Sequence, residues 1–461
     1  MIQKLRLYKT PLLFAILSIA FYISFAFDLE RSDFIKLITL YAALFFTAYL
    51  LIEKFKLNFW LLAGFGIVFR LVSIAAIPNL SQDFYRFLWD GRLLMQGVSP
   101  YLFTPDSLAA TNFTVGQSTQ LIDEMGVLNA THFSNYPPIN QLFFAVAALF
   151  AGKSILGSVI VLRVFIILAD IGILYFGKKL LEKLNLPIKN IFWYFLNPFV
   201  IIEFTENLHF EGVMLFFFVW ALYLLFKGKW FWAAVLIGIS VSVKLIPFLF
   251  LPLFLKYFIS KEFPTALNWT VLLKFYSIIG ITVLITFLPF LSSEFVEHFS
   301  STLALWFQDF EFNASIYYVI RWIGFQVVGW NLIETVGKIL PILVFLFVLG
   351  LAFFSLPASE SEEGKNKTPQ HLITAMLFAV SFYFLLSTTV HPWYIATPLL
   401  LSVFTKYKFP IVWSFVVMLS YSAYGKDGFD ENLWLVALEY IVVFGVAVWE
   451  IFLPKFKPAR L

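Results

Sequence analysis

Continuously apolar runs, separated by short polar breaks, occupy most of this chain. They do not alternate as lipid-facing barrel strands would, so each reads as a helix or helical segment. Runs at about 10–27, 37–52 and 58–78 predict three spans. The segment Ile139–Ala151 is apolar but short, and it predicts a helix resting on or dipping into the membrane surface. Further runs lie at about 154–176, 190–204, 211–226, 230–243, 245–258 and 270–290, then near 336–355, 372–389, 394–405, 409–424 and 433–453. The expectation is an all-α polytopic membrane protein of about fourteen spans, within two. Residues 1–27 lack a clear small-residue cleavage site and are taken as the first span.

Basic residues orient these runs. Lys4, Arg6 and Lys9 precede the first span and Lys54 and Lys56 the third, whereas the loop between the first two carries Asp28, Glu30 and Asp33. The positive-inside rule puts the N-terminus in the cytoplasm and residues 79–138 outside. Lys178, Lys179, Lys183 and Lys189 fall inside, with Lys227, Lys229, Lys256, Lys261, Lys406, Lys408 and the tail Lys455, Lys457 and Arg460. Glu203–Glu211, Lys244 and His391 then lie at outer ends, and the polar loop 357–370 lies inside. One transmembrane domain over 1–461 is expected: N-terminal spans in 1–78, an extracytoplasmic loop with interfacial helices in 79–153, a core in 154–290, a second outer segment in 291–335, and C-terminal spans in 336–461.

Composition agrees. Of 461 residues, 61% are hydrophobic and 13% charged, which excludes a soluble globular protein. The net charge of +4 matches basic cytoplasmic loops and gives no reason to invoke nucleic acid. With no cysteine, thiolate chemistry is excluded.

The stretch Ser81–Tyr101, SQDFYRFLWDGRLLMQGVSPY, departs from its surroundings by packing two acids and two arginines into one helix-forming segment. On a helical wheel Phe84, Leu88, Gly91 and Met95 form one stripe, and Asp83, Arg86 and Asp90 share a neighbouring face. That pattern predicts an amphipathic helix on the membrane surface, capped by Ser81 and ended by Gly97. Asp83 reads either as a general base or as a helix-dipole partner. Asp90 is explained by an i,i+4 pair with Arg86, and Arg92 either meets a phosphate or snorkels.

Other outer polar residues are far apart in sequence. Tyr136 heads the stiff Tyr136-Pro137-Pro138 segment, a structural element that could also present a ring to a sugar. Glu206, His209 and Glu211 lack an established metal-ligand spacing, so hydrogen bonding to a polar substrate is favoured over a divalent cation. Lys244 stands alone in IGISVSVKLIPFLF, where an unpaired ammonium is costly, so a lipid phosphate or snorkelling must satisfy it. Asn313, Arg321, His391 and Tyr394 complete the set, with Arg321 and His391 as candidate phosphate ligands.

The ordered motifs SQDFYRFLWDGRLLMQGVSPY, NYPPINQ, NPFVIIEFTENLHFEG, KLIPFLFLP, FNASIYY and HPWY resemble the GT-C superfamily of polytopic glycosyltransferases, and in particular mannosyltransferases that use polyprenyl-phosphate sugars. The resemblance runs from about residue 80 to 395. Gln82 stands where the family often has a second acid, and three runs precede the motif loop where many members have one span. The resemblance implies inverting transfer of a sugar, mannose first, from a lipid-linked donor to a glycan or lipid-linked acceptor. It implies Asp83 as base, in a bacterial inner membrane with the site on its extracytoplasmic face. Donor phosphate would meet Lys244, Arg321, Arg92 and His391; Arg86, Asp90, Tyr136, Glu206, His209, Asn313 and Tyr394 would contact substrate. No cofactor is certain, and a divalent cation stays open as an alternative that is not favoured. A transporter or flippase of a polar lipid is the rival from another class, and a lipid-linked-glycan ligase or polymerase a third reading.

Overall fold

A computed structural model describes residues 2–55, 57–111, 113, 115–259, 269–354, 368–426 and 428–452. Most of the polar loop 357–370, Lys56, Lys261 and the basic tail lie outside the described residues. The architecture is all-α. Among the described residues, β structure is limited to the two-residue strands Tyr424–Gly425 and Gly428–Phe429, paired antiparallel, and one parallel bridge between Phe312 and Thr389.

The N-terminal part comprises α1 (Ile2–Asp28), α2 (Phe34–Tyr49), α3 (Phe59–Val72), α4 (Asp83–Met95), α5 (Pro105–Ala109), α6 (Ser118–Thr131), α7 (Pro138–Ala151) and α8 (Ile155–Lys183). Seven helices among the described residues are long and apolar enough to cross a membrane, or eight if the bent pair Pro198–Glu206 and Glu211–Phe226 is one span. Fourteen spans are not seen at that length. Several apolar runs are apolar because they are core: residues 395–405 are buried throughout and fold as the short helix Ala396–Ser402 after a 3₁₀ turn. Span-length counting cannot separate such segments from lipid-facing ones.

The first motif helix is not a surface helix. Nine residues of α4, from Phe84 to Leu93, are buried, because its polar side chains are consumed inside the protein. Arg86 Nε donates to Asp90 at 2.7 Å, and Asp90 Oδ2 accepts from Ser134 at 2.6 Å and Gln141 at 2.9 Å. A second nitrogen of Arg86 donates to the carbonyls of Asn129 and His132, both at 2.7 Å. Arg92 holds the carbonyls of Gly116 and Lys153. These bonds tie α4 to the segments that cover it, so what reads as a wet face is a buried polar seam.

Two glycines make the arrangement fit. A Cβ on Gly91 would stand 2.2 Å from the carbonyl oxygen of Phe144, so α4 and α7 approach closely only with hydrogen there. Beside that contact Phe87 and Phe144 stack at 4.5 Å. Gly97, at φ +74°, closes the helix: its N–H bonds to Leu94 and that of Val98 to Leu93, the Schellman pattern.

Two buried arginines organise the helices behind α4. Arg70 pairs with Asp170 at 2.8 Å, both fully buried, joining α3 to α8. Arg163 of α8 donates to the carbonyls of Thr205 (2.6 Å), Glu206 (2.9 Å) and Ile74 (2.8 Å). The carbonyls of Thr205 and Glu206 are freed where Pro198–Glu206 bends by 116° into Glu211–Phe226, and hydrocarbon would leave them unpaired. Asn207 completes the break, accepting from the Leu80 N–H at 2.8 Å and donating to the Ile202 carbonyl at 3.0 Å.

Replacing Gly91 with alanine is expected to destabilise the fold by about 1–3 kcal/mol, read as a lowered Tm of thermal unfolding in detergent. Gly64→Ala, whose Cβ meets nothing within 4 Å, should leave Tm unchanged or raised. Equal Tm values for the two variants would refute the close-approach account.

Candidate functional site

The break at Asn207–Phe210 delivers two polar side chains to the start of α4. Glu211, first residue of the descending helix, accepts from Lys244 at 2.5 Å. The solitary ammonium read from sequence therefore has an internal partner, contributed by a segment 33 residues away. Lys244 also lies 5.7 Å from the centroid of the Tyr136 ring. The Tyr136 hydroxyl faces Asp83 Oδ2 at 3.5 Å, and Asn129 Nδ2 donates to Asp83 Oδ1 at 3.2 Å.

Asp83 is thus loosely held. Its two neighbours are neutral, one at the outer limit of hydrogen bonding, and among the described residues it has no ion pair within 4.0 Å. The carboxyl keeps a partly open surface, yet surrounding protein desolvates it and raises its pKa above the ordinary 3.8. The Asn129 bond and the fields of Lys244 and Arg31 pull the other way. Such a group is a stronger base than a free aspartate, with oxygens still available.

His209 stacks on Trp393 at 3.7 Å, and Trp393 stacks on His391 at 4.5 Å with the planes 4° apart. Phe312 lies 5.1 Å beyond His391. This ladder of rings closes one wall of the site. Burial, reinforced by Lys244 and Arg31, lowers the His391 pKa to about 3, so the imidazole is neutral at neutral pH and supplies no charge to a phosphate. Tyr394 stands at right angles to both His391 and Trp393, at 5.5 and 6.1 Å. Glu203 accepts from Tyr421 at 2.9 Å and lies 3.7 Å from His209.

The structure therefore gathers Asp83, Tyr136, His209, Lys244, His391 and Tyr394, six of the residues singled out from sequence, around one locality. It places the others elsewhere. Arg86, Asp90 and Arg92 belong to the buried seam of α4. Glu206 sits with its backbone on Arg163 and neither carboxylate oxygen hydrogen-bonded. Asn313 donates to Glu439 at 3.3 Å and to the Val390 carbonyl at 3.5 Å, while Arg321 pairs with Glu311 and lies 4.2 Å from the Tyr318 ring. Asn313 ties the 291–335 segment to the last helix, Leu433–Phe452, with the Tyr440 hydroxyl donating to its carbonyl at 2.6 Å, whereas the Arg321 contacts stay within that segment. Among the described residues no group of three His, Asp or Glu side chains is placed to hold a metal ion.

Sequence reasoning missed Glu211 as the partner of Lys244, Asn129, Trp393 and Arg31. The first three are pairings across the chain with no local signal. Arg31 had one: it is a cation inside the acidic loop Asp28–Asp33, against the charge bias of that side.

Comparison with known proteins agrees with the motif resemblance. Residues 37–260 match a family model described as Alpha-(1->6)-mannopyranosyltransferase, N-terminal domain. A segment of 172 residues is 23% identical to Alpha-(1->6)-mannopyranosyltransferase A of Mycobacterium tuberculosis (strain ATCC 25618 / H37Rv), covering 37% of this chain and 32% of that protein. The match thus spans about a third of that relative's length. Both matches are to proteins named as mannopyranosyltransferases, the class of enzyme that the motifs resemble. The range 37–260 contains Asp83, Tyr136, His209, Glu211 and Lys244, and it excludes Arg31, His391 and Tyr394.

Arg86→Ala is expected to cost about 3–5 kcal/mol, since it leaves a buried carboxylate and two carbonyls unpaired. Asp83→Asn should leave Tm within about 1 °C of the native value, because a desolvated, weakly bonded carboxylate adds little to stability. Thermal unfolding of the two purified variants reads both; a large loss with Asp83→Asn would make that residue part of the scaffold.

Proposed function

We propose that this protein is an inverting membrane glycosyltransferase that moves a sugar, mannose first, from a polyprenyl-phosphate donor to a glycan or lipid-linked acceptor, with Asp83 as general base. The observation that carries the reading is Asp83 itself, an unpaired, desolvated carboxylate at a partly open position inside the region matching the mannosyltransferase family. The acceptor hydroxyl attacks the anomeric carbon on the face opposite the phosphate and gives its proton to Asp83. A new C–O bond forms as the bond to the phosphate oxygen breaks, and the electron pair leaves with the phosphate. One positioned base is sufficient for this single displacement. Tyr136, His209 and Tyr394 present hydrogen-bonding groups and rings to the sugar, and the Lys244–Glu211 pair lines the phosphate side.

Orientation by basic residues assigns every contributing segment to one face, which in this reading is the extracytoplasmic face of a bacterial inner membrane. The cations of the mechanism are side chains, and a divalent ion has no part in it. The broken helix at Asn207–Phe210 favours a second reading, because transporters place polar substrates at such breaks.

Proteoliposomes supplied with radiolabelled polyprenyl-phosphate mannose separate these. Transfer to an acceptor fraction is expected from the native protein, undiminished in EDTA, and Asp83→Asn should reduce it by about 10²–10⁴-fold. Movement of the intact lipid between leaflets without transfer would identify a transporter. The rate should rise with pH through a value above 3.8, the raised pKa of Asp83. Stability runs oppositely: folding favours the protonated carboxyl, so its contribution is full at low pH and is lost as pH rises through the raised pKa. An acid limb at or below 3.8 would contradict the assignment.

A further inference from the structure

Arg31 lies in the connection between α1 and α2, upstream of the family match that begins at residue 37. Its guanidinium carbon sits 3.2 Å from the centroid of Tyr424 and 6.0 Å from that of Tyr421. A ring below the guanidinium plane holds that plane while leaving its N–H edge free. The edge is not used internally. Nε is buried without a hydrogen-bond partner, and among the described residues Arg31 makes no ion pair within 4.0 Å.

Two of the three acids of its own loop are engaged elsewhere, and the third, Glu30, makes no ion pair with it within 4.0 Å. Asp28 is paired with Lys36 at 2.6 Å, and Asp33 caps α2 through the Lys36 N–H at 3.1 Å. Other strong cations nearby are neutralised or committed, Lys244 to Glu211, Arg70 to Asp170 and Arg163 to backbone carbonyls. The two rings that hold Arg31 border the site: Tyr421 donates to Glu203, which lies 3.7 Å from His209, and Tyr424 lies 6.0 Å from Phe312 of the ring ladder. A buried guanidinium N–H without a partner is costly, and this one borders a place where an anion is expected.

We propose that Arg31 is the phosphate-binding residue of this site, its N–H edge receiving the phosphate of the donor and of the polyprenyl phosphate that departs, while Lys244 stays bound to Glu211. This rests on the transferase reading above. As the anomeric C–O bond breaks, its electron pair moves to the phosphate oxygen and converts a monoanionic diester into a dianionic monoester. Arg31 meets that added charge in a desolvated setting where a charge-assisted, forked contact is strong.

The test is binding of farnesyl phosphate to the full-length protein in detergent, with farnesol as the uncharged control and dioleoyl phosphatidic acid as competitor. The native protein should bind farnesyl phosphate more tightly than farnesol, and Arg31→Ala should weaken that binding about tenfold or more. Arg31→Lys should restore part of it, and Tm should fall little in either variant. Equal binding by native protein and Arg31→Ala overturns the proposal and leaves the transferase reading intact. No preference for farnesyl phosphate over farnesol in the native protein also overturns it. Equal displacement by phosphatidic acid assigns Arg31 to bulk headgroups and overturns the donor assignment. Arg31-dependent binding in a protein that transfers no sugar leaves Arg31 a lipid-phosphate ligand but removes the transferase, and with it the donor and leaving-group roles.

Discussion

The fold depends on satisfying a backbone break inside an apolar bundle. Where Pro198–Glu206 turns into Glu211–Phe226, two carbonyls have no helical partner, and one guanidinium from α8 takes both. In water such a break would be hydrated at little cost; in hydrocarbon it stands only because Arg163 is there. The break in turn sets His209 against Trp393 and Glu211 against Lys244. Without that one arginine, the polar wall of the site would have no fixed geometry.

A division of labour among charged residues follows from the same low-dielectric setting. Buried charges that hold helices together each have a bonded anion or carbonyl partner: Arg70 with Asp170, Arg86 with Asp90, Arg92 with two carbonyls, although one nitrogen of each is left without a bond. Around the start of α4 the satisfaction is incomplete. Asp83 has two weak neutral contacts, and Arg31 has a ring beneath it and no bonded anion. A carboxylate and a guanidinium that both lack an ionic partner among the described residues are expensive in such an environment, and they mark where a ligand would complete the set.

The wall built from His209, Trp393 and His391 illustrates how a motif can mislead about role. The imidazoles lie against the two faces of one indole, and His391 is uncharged. At a membrane edge His391 suggested a phosphate ligand and His209 a substrate contact. Packing makes them part of a ladder of rings continued by Phe312, where shape and hydrogen bonding remain and charge does not.

What the sequence by itself determined is the class. Long apolar runs leave the backbone no option but helices and Lys and Arg bias orients their ends, whereas Asp83 stays open between a base and a helix-dipole partner until the motif resemblance singles it out. Apolar runs and charge bias are local or compositional properties, legible at short range. Tertiary structure alone decided which apolar runs are core, that α4 is buried, that Lys244 answers Glu211, and that Arg31 reaches across from the first connection to a hairpin at residues 424–429. Hydropathy reads the same for a helix in lipid and a helix in protein, and pairings between residues tens to hundreds of positions apart leave no periodic trace. Only packing distinguishes a charge that is already neutralised from one that still requires a partner.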